Sequence, residues 1–139
     1  METKAPESTK EESLPRGTER ILYIDDEPAL ANLAEKMLSK LGYDVTTLTS
    51  SLEALNIFKS RADKFDLVIT DMTMPGMTGD TLAQKLMEIR PDIPVILCTG
   101  YSEHVSGEGA KKIGIRKFVM KPLEMKVLAK AIRKVLDDK

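Results

Sequence analysis

The chain has 139 residues, with 21 Lys and Arg against 22 Asp and Glu, for a formal net charge of -1. That length fits one domain, and the balanced charge leaves no basic surface for a nucleic acid backbone, so no direct nucleic acid partner is expected. No apolar run spans a bilayer and no signal peptide opens the chain, which predicts a cytoplasmic protein without a membrane partner, and the lone Cys98 allows no internal disulfide.

Residues 1–19 are rich in Glu, Lys, Ser, Thr and Pro, with only Met1, Ala5 and Leu14 as appreciable apolar groups. Such a stretch buries too little surface to offset its ordering entropy, which predicts a disordered tail or linker before a domain over 20–139. Ile21–Ile24 is a short continuous apolar run, read as a strand covered on both faces, and it ends on Asp25-Asp26-Glu27. Pro28 suits a first helical position, and Leu30, Leu33, Ala34, Met37, Leu38 and Leu41 then recur at the spacing of one helical face, with Gly42 as the stop.

The more polar run Asp44–Thr49 suits an edge strand. Ser50-Ser-Leu-Glu53 reads as a capping box opening a helix to about Arg61, with Leu52, Leu55 and Phe58 facing the core. Asp66–Asp71 is a buried central strand that empties into a loop stiffened by Pro75. A helix follows over Asp80–Arg90, and Pro91 and Pro94 bracket the turn into the strand Val95–Thr99, where Cys98 reads as a small buried hydrophobe. Gly107 and Gly109 predict a short or mobile crossover over 102–114. Lys117–Met120 is the fifth strand, ending on Lys121-Pro122, and Glu124–Leu136 is an amphipathic helix bearing Val127, Leu128, Ala131, Ile132 and Val135. Strands alternating with helices imply an α/β fold, a parallel sheet with helices on both faces.

Strands one, three, four and five thus end on Asp25 and Asp26, Asp71, Thr99 and Lys121. In a parallel sheet these ends share one edge, so residues distant in sequence converge on one crevice. Three carboxylates repel unless a cation shares them, and an all-oxygen set suits Mg²⁺. An amine and a hydroxyl opposite would complete a cradle for a phosphoryl group, with Asp71 equipped to be the nucleophile.

Asp25-Asp26-Glu27-Pro28, the loop from Asp71 to Gly79, Thr99-Gly100 and Lys121-Pro122 resemble, in order and spacing, the receiver domain of bacterial two-component response regulators. The resemblance covers residues 20 to about 137. It implies a flavodoxin-like (βα)5 sandwich with strand order 2-1-3-4-5. It further implies Asp71 as phosphoacceptor, Mg²⁺ (Mn²⁺ as the alternative) held by Asp25, Asp26, Asp71 and the Thr73 backbone carbonyl, and phosphate contacts from Thr99 and Lys121. Thr99 and Phe118 would form the switch, Thr73 and Tyr101 would tune the lifetime of the acyl phosphate, and the bond before Pro122 would be cis. Implied partners are a sensor histidine kinase or histidine phosphotransfer protein upstream and an effector protein or attached kinase domain downstream. The text around Thr99 and Lys121 is most similar to receivers attached to hybrid sensor histidine kinases. Catalysis would be confined to the domain's own phosphorylation and slow dephosphorylation.

Each residue taken alone has a plainer reading. Asp25 to Glu27 fit a helix start, Asp71 a turn former, Thr99 a strand end and Lys121 a solvated charge. Their conjunction at four strand ends reverses that. His104, in the polar crossover, reads as solvated, and Met72, Met74 and Met77 as packing groups. A flavodoxin-like cofactor binder would need a phosphate loop where three acids stand, and an aspartate-nucleophile phosphohydrolase usually carries a second acid where Thr73 stands. A phosphorylation-independent scaffold would have no need of a complete acidic site.

Overall fold

The structure is a computed structural model that describes residues 14–100 and 114–138. Five parallel strands run β1 Arg20–Ile24, β2 Asp44–Leu48, β3 Leu67–Asp71, β4 Val95–Thr99 and β5 Lys117–Met120, hydrogen-bonded in the order β2-β1-β3-β4-β5. Four α-helices lie among the described residues: α1 Pro28–Lys40, α2 Ser51–Ser60, α3 Gly79–Ile89 and α4 Met125–Asp137. The crossover expected over 102–114 lies outside the described residues except for Gly114, as do Tyr101 and His104.

Side-chain alternation decides which layer each strand residue feeds. Ile21, Tyr23, Leu67, Ile69, Ile96, Cys98 and Val119 pack with α1 and α4, while Leu22, Ile24, Val68, Val95 and Leu97 pack with α2 and α3. The central strands β3 and β4 are buried along their whole length, whereas β2 is only partly covered, as an edge strand should be. Burying a side chain such as Phe58 completely is worth about 1.5–3 kcal/mol.

Three apolar residues expected in the core stand largely outside it: Leu33 is 44% exposed, Leu52 63% and Val127 44%. The rest of each expected stripe holds, with Ala34 and Leu38, Leu55 and Phe58, and Leu128, Ala131, Ile132 and Val135 buried, and only its border shifts. Ala31 takes the inward position beside Ala34 and Leu38 in α1, Ala54 does so in α2, and Ala129 joins Leu128 in α4. A small side chain lets a helix sit close to the sheet, and the larger neighbour is left at the rim. Ser50 does cap α2, its hydroxyl accepting from the Glu53 N–H at 3.3 Å.

The last residues before β1 also depart from expectation. Leu14 packs against the α1/α4 layer, the Gly17 N–H donates to the Leu41 carbonyl, and Glu19 pairs with Arg133 on α4 at 2.8 Å. A Cβ on Gly17 would fall 2.4 Å from both Arg133 Nη1 and Tyr43 Cε1, and one on Gly42 would fall 2.4 Å from the Gly17 carbonyl oxygen. Residues 14–19 therefore form a strap pressed into the end of the sheet where the strands begin. Burial opposes ionisation of Glu19, but the Arg133 guanidinium outweighs it and lowers the carboxyl's pKa.

Tyr23 is fully buried and its hydroxyl has no hydrogen-bond partner among the described residues. Burial is also the main reason its pKa is pushed up, so the group stays neutral. Because an unpaired buried hydroxyl costs its desolvation, Tyr23→Phe is expected to raise stability by about 1 kcal/mol. Equilibrium urea unfolding would read this as a higher midpoint at unchanged slope, and a lower midpoint would refute it.

Candidate functional site

The strand ends expected to carry chemistry do meet at one edge. β1 continues into Asp25, whose side chain is completely buried, with one carboxylate oxygen held by the Glu27 N–H at 3.0 Å. β3 closes on Asp71, 5% exposed, where the Met72 N–H still bonds the Cys98 carbonyl and so fixes the direction in which the carboxylate leaves the sheet. β5 hands over to Lys121, whose peptide bond to Pro122 is cis. Sheet alternation puts Asp25, Asp71 and Lys121 on the α1/α4 side. Lys121 Nζ accordingly stands 2.8 Å from Asp71 Oδ1 and 3.3 Å from Asp25 Oδ2.

Asp26 completes the acidic set: one carboxylate oxygen from each of Asp25, Asp26 and Asp71 lies within 4.8 Å of the others. An all-carboxylate oxygen set at that spacing has the donor chemistry of a hard divalent cation site. Burial alone would lower the pKa of Lys121, but hydrogen bonds and charge from Asp71 and Asp25 outweigh it and hold the ammonium above the ordinary lysine range. Its contribution to stability is thus fully present at neutral pH and is lost only as pH rises through that raised value.

Thr99 and Phe118 belong to the opposite face of the sheet. Thr99 is 6% exposed, and Phe118 packs against the α2/α3 layer. Thr73 lies exposed in the loop after β3. Cys98 is a fully buried thiol pushed up to about 12, chiefly by burial, and so behaves as the small hydrophobe expected from its strand.

Two further residues shape the site through contacts that the sequence did not announce. Ser51 donates to the Met77 carbonyl at 2.9 Å, with Met74 Sδ 3.6 Å from the same hydroxyl, tying the loop after β3 to the start of α2. Gly79 brings α3 against the end of β3: its N–H bonds the Met72 carbonyl at 2.8 Å, and a Cβ there would lie 2.1 Å from the Asp71 carbonyl oxygen. Both stand in stretches already singled out, Ser50–Glu53 and Asp71–Gly79, but nothing local there announces these contacts.

Residues 21–133 match the family model for the response regulator receiver domain. The chain belongs to that family. Among curated relatives, this receiver is 30% identical over 138 residues to Sensor kinase CckA of Brucella abortus, an alignment covering 96% of this chain and 15% of that protein. It is 36% identical over 114 residues to the two-component response regulator ARR11 of Arabidopsis thaliana, covering 78% of the receiver and 21% of its relative. The chain thus spans only a fraction of the length of these relatives. A solved receiver domain from Clostridium thermocellum superposes with a TM-score of 0.82 at 32% identity, covering 86% of this chain and 95% of that one. A CheY-like receiver from Methanospirillum hungatei gives 0.79 at 28% identity, covering 88% and 96%. The flavodoxin-like α/β fold and the two-component receiver assignment expected from the sequence are both borne out. No helix among the described residues is long and apolar enough to cross a membrane.

Proposed function

We propose that Asp71 is the phosphoacceptor of a phosphorelay, taking a phosphoryl group from the phosphohistidine of a sensor histidine kinase or a histidine phosphotransfer protein. The observation that carries this reading is the Lys121 ammonium shared between Asp71 and the buried Asp25 beside a three-carboxylate set. An Asp71 oxygen attacks phosphorus, the new O–P bond forms as the P–N bond breaks, and the imidazole leaves with a proton from solvent. Lys121 then turns from the carboxylate to a phosphoryl oxygen, and the Thr99 hydroxyl donates to another. Asp25, Asp26, Asp71 and the Thr73 backbone carbonyl would hold Mg²⁺, with Mn²⁺ as the alternative. A bound Mg²⁺ would supply charge neutralisation at the phosphoryl oxygens. Thr73 and Tyr101 would govern the access of water to the acyl phosphate.

Output would pass through repacking around Thr99 and Phe118 to the surface built by the crossover after β4, by β5 and by α4. An effector protein or an attached kinase domain would read that surface in the cytoplasm. Similarity to a protein named as a sensor kinase supports the hybrid-kinase context for the domain over 20–139. The deciding experiment is intact mass after incubation with Mg²⁺ and a small-molecule phosphodonor, then with phosphorylated kinase. One Mg²⁺-dependent, hydroxylamine-labile phosphoryl group on the peptide containing Asp71 is expected. No addition from either donor would overturn the assignment.

Lys121 supplies a second test. The Asp25 side chain is fully buried and that of Lys121 only 22% exposed, so Lys121→Met leaves clustered carboxylates without their cation. A loss of about 2–4 kcal/mol is expected without divalent ions. Mg²⁺ should then raise the unfolding temperature more in Lys121→Met than in the wild type, even though phosphorylation slows. Equal Mg²⁺ responses in the two proteins would separate Lys121 from the cation site.

A further inference from the structure

Thr99 Oγ1 donates its hydrogen bond to Met120 Sδ at 3.4 Å. The two residues are register partners on β4 and β5, and strand alternation places both on the sheet face that Phe118 also occupies. Asp71 and Lys121 project to the other face. A threonine hydroxyl has one proton to give. While that proton is directed at the thioether it is withheld from any oxygen at the Asp71 carboxylate, so two acceptors compete for one donor.

The geometry points to Met120 as a positioning residue that holds the Thr99 hydroxyl in its resting orientation, away from the phosphoryl site. Its consequence for signalling rests on the phosphoacceptor reading of Asp71, but the hold itself does not. A thioether is a weak acceptor, which fits a hold that must give way: a phosphoryl oxygen bearing charge outcompetes it, while the burial of Thr99 limits competition from water. Met120 is 54% exposed while Thr99 is 6% exposed, so the side chain that sets the bias is reachable at the surface while its effect falls inside.

Two substitutions of similar size separate this role from packing. Met120→Leu removes the acceptor, and Met120→Gln replaces it with a stronger one. The Thr99 χ1 populations, read from NMR couplings in the unphosphorylated protein, are expected to spread in Met120→Leu and to stay fixed in Met120→Gln. With beryllium fluoride and Mg²⁺ as the phosphoryl probe, followed by ¹⁹F NMR, Met120→Leu should bind about two- to threefold tighter than wild type and Met120→Gln correspondingly weaker. Both differences should vanish in a Thr99→Val background. Leu and Gln variants shifting in the same direction, or an unchanged χ1 distribution in Met120→Leu, would overturn the proposal. If the χ1 populations respond as expected and the wild type takes up no beryllium fluoride, the hold stands and the phosphoacceptor reading fails.

Discussion

Asp71→Asn is expected to fold normally and to take up no phosphoryl group. The amide keeps the shape of the carboxylate at the end of β3 but offers no anionic oxygen to attack phosphorus. Uptake should fall by on the order of a hundredfold or more, to background. Two electrostatic effects on stability oppose each other. The Lys121 contact at 2.8 Å loses its charge, while repulsion among Asp25, Asp26 and Asp71 is relieved. The net change in stability should be small, and divalent cation affinity should fall with the loss of one anionic ligand. Intact mass and thermal unfolding with and without Mg²⁺ measure all three quantities. A folded Asp71→Asn protein phosphorylated at the wild-type rate would move the acceptor to another residue.

Gly79→Ala should also lower activity, for a reason that involves no charge. The added Cβ would meet the Asp71 carbonyl oxygen at 2.1 Å and Leu97 Cδ1 at 2.8 Å. Leu97 can rotate, but the oxygen belongs to the backbone that aims the Asp71 carboxylate. Relief requires α3 to retreat and the Gly79 to Met72 hydrogen bond to stretch. A loss of about 1–3 kcal/mol is expected, together with a drop in phosphorylation rate measured well below the unfolding transition. Gly76 makes the useful contrast: it has a positive φ of 81° but nothing within 4 Å of its Cβ position, so alanine there strains only the local turn. A Gly79→Ala protein with wild-type unfolding midpoint and rate would show that the close approach does not matter.

The sequence made the sheet and its active edge readable because both are written in short local patterns. Apolar runs of four or five residues ended on Asp25, Asp71, Thr99 and Lys121, and a parallel sheet leaves only one place for such ends to gather. Helix orientation was less readable. Leu33, Leu52 and Val127 satisfy helical periodicity, yet periodicity defines a stripe without saying which of its borders meets the sheet. Alanines at 31, 54 and 129 settled that by permitting closer approach. The packing roles of Gly79 and Ser51 were hidden for a different reason: they lie in contacts with residues 8 and 26 positions away in sequence, to Asp71 and Met77. Composition likewise assigned residues 14–19 to a tail, because average polarity does not register a glycine fitted against Tyr43 or a glutamate aimed at Arg133.

That strap sets where the described chain starts. Leu14, Gly17 and Glu19 are fastened where the strands begin, whereas Asp71 sits where they end, a strand's length of on the order of 15 Å away. The first described residue therefore stands at the pole opposite the acidic crevice. The strap and the acidic crevice thus share no residue, and a substitution at Gly17 or Glu19 would disturb the foot of the sheet while leaving the Asp71–Lys121 contact in place.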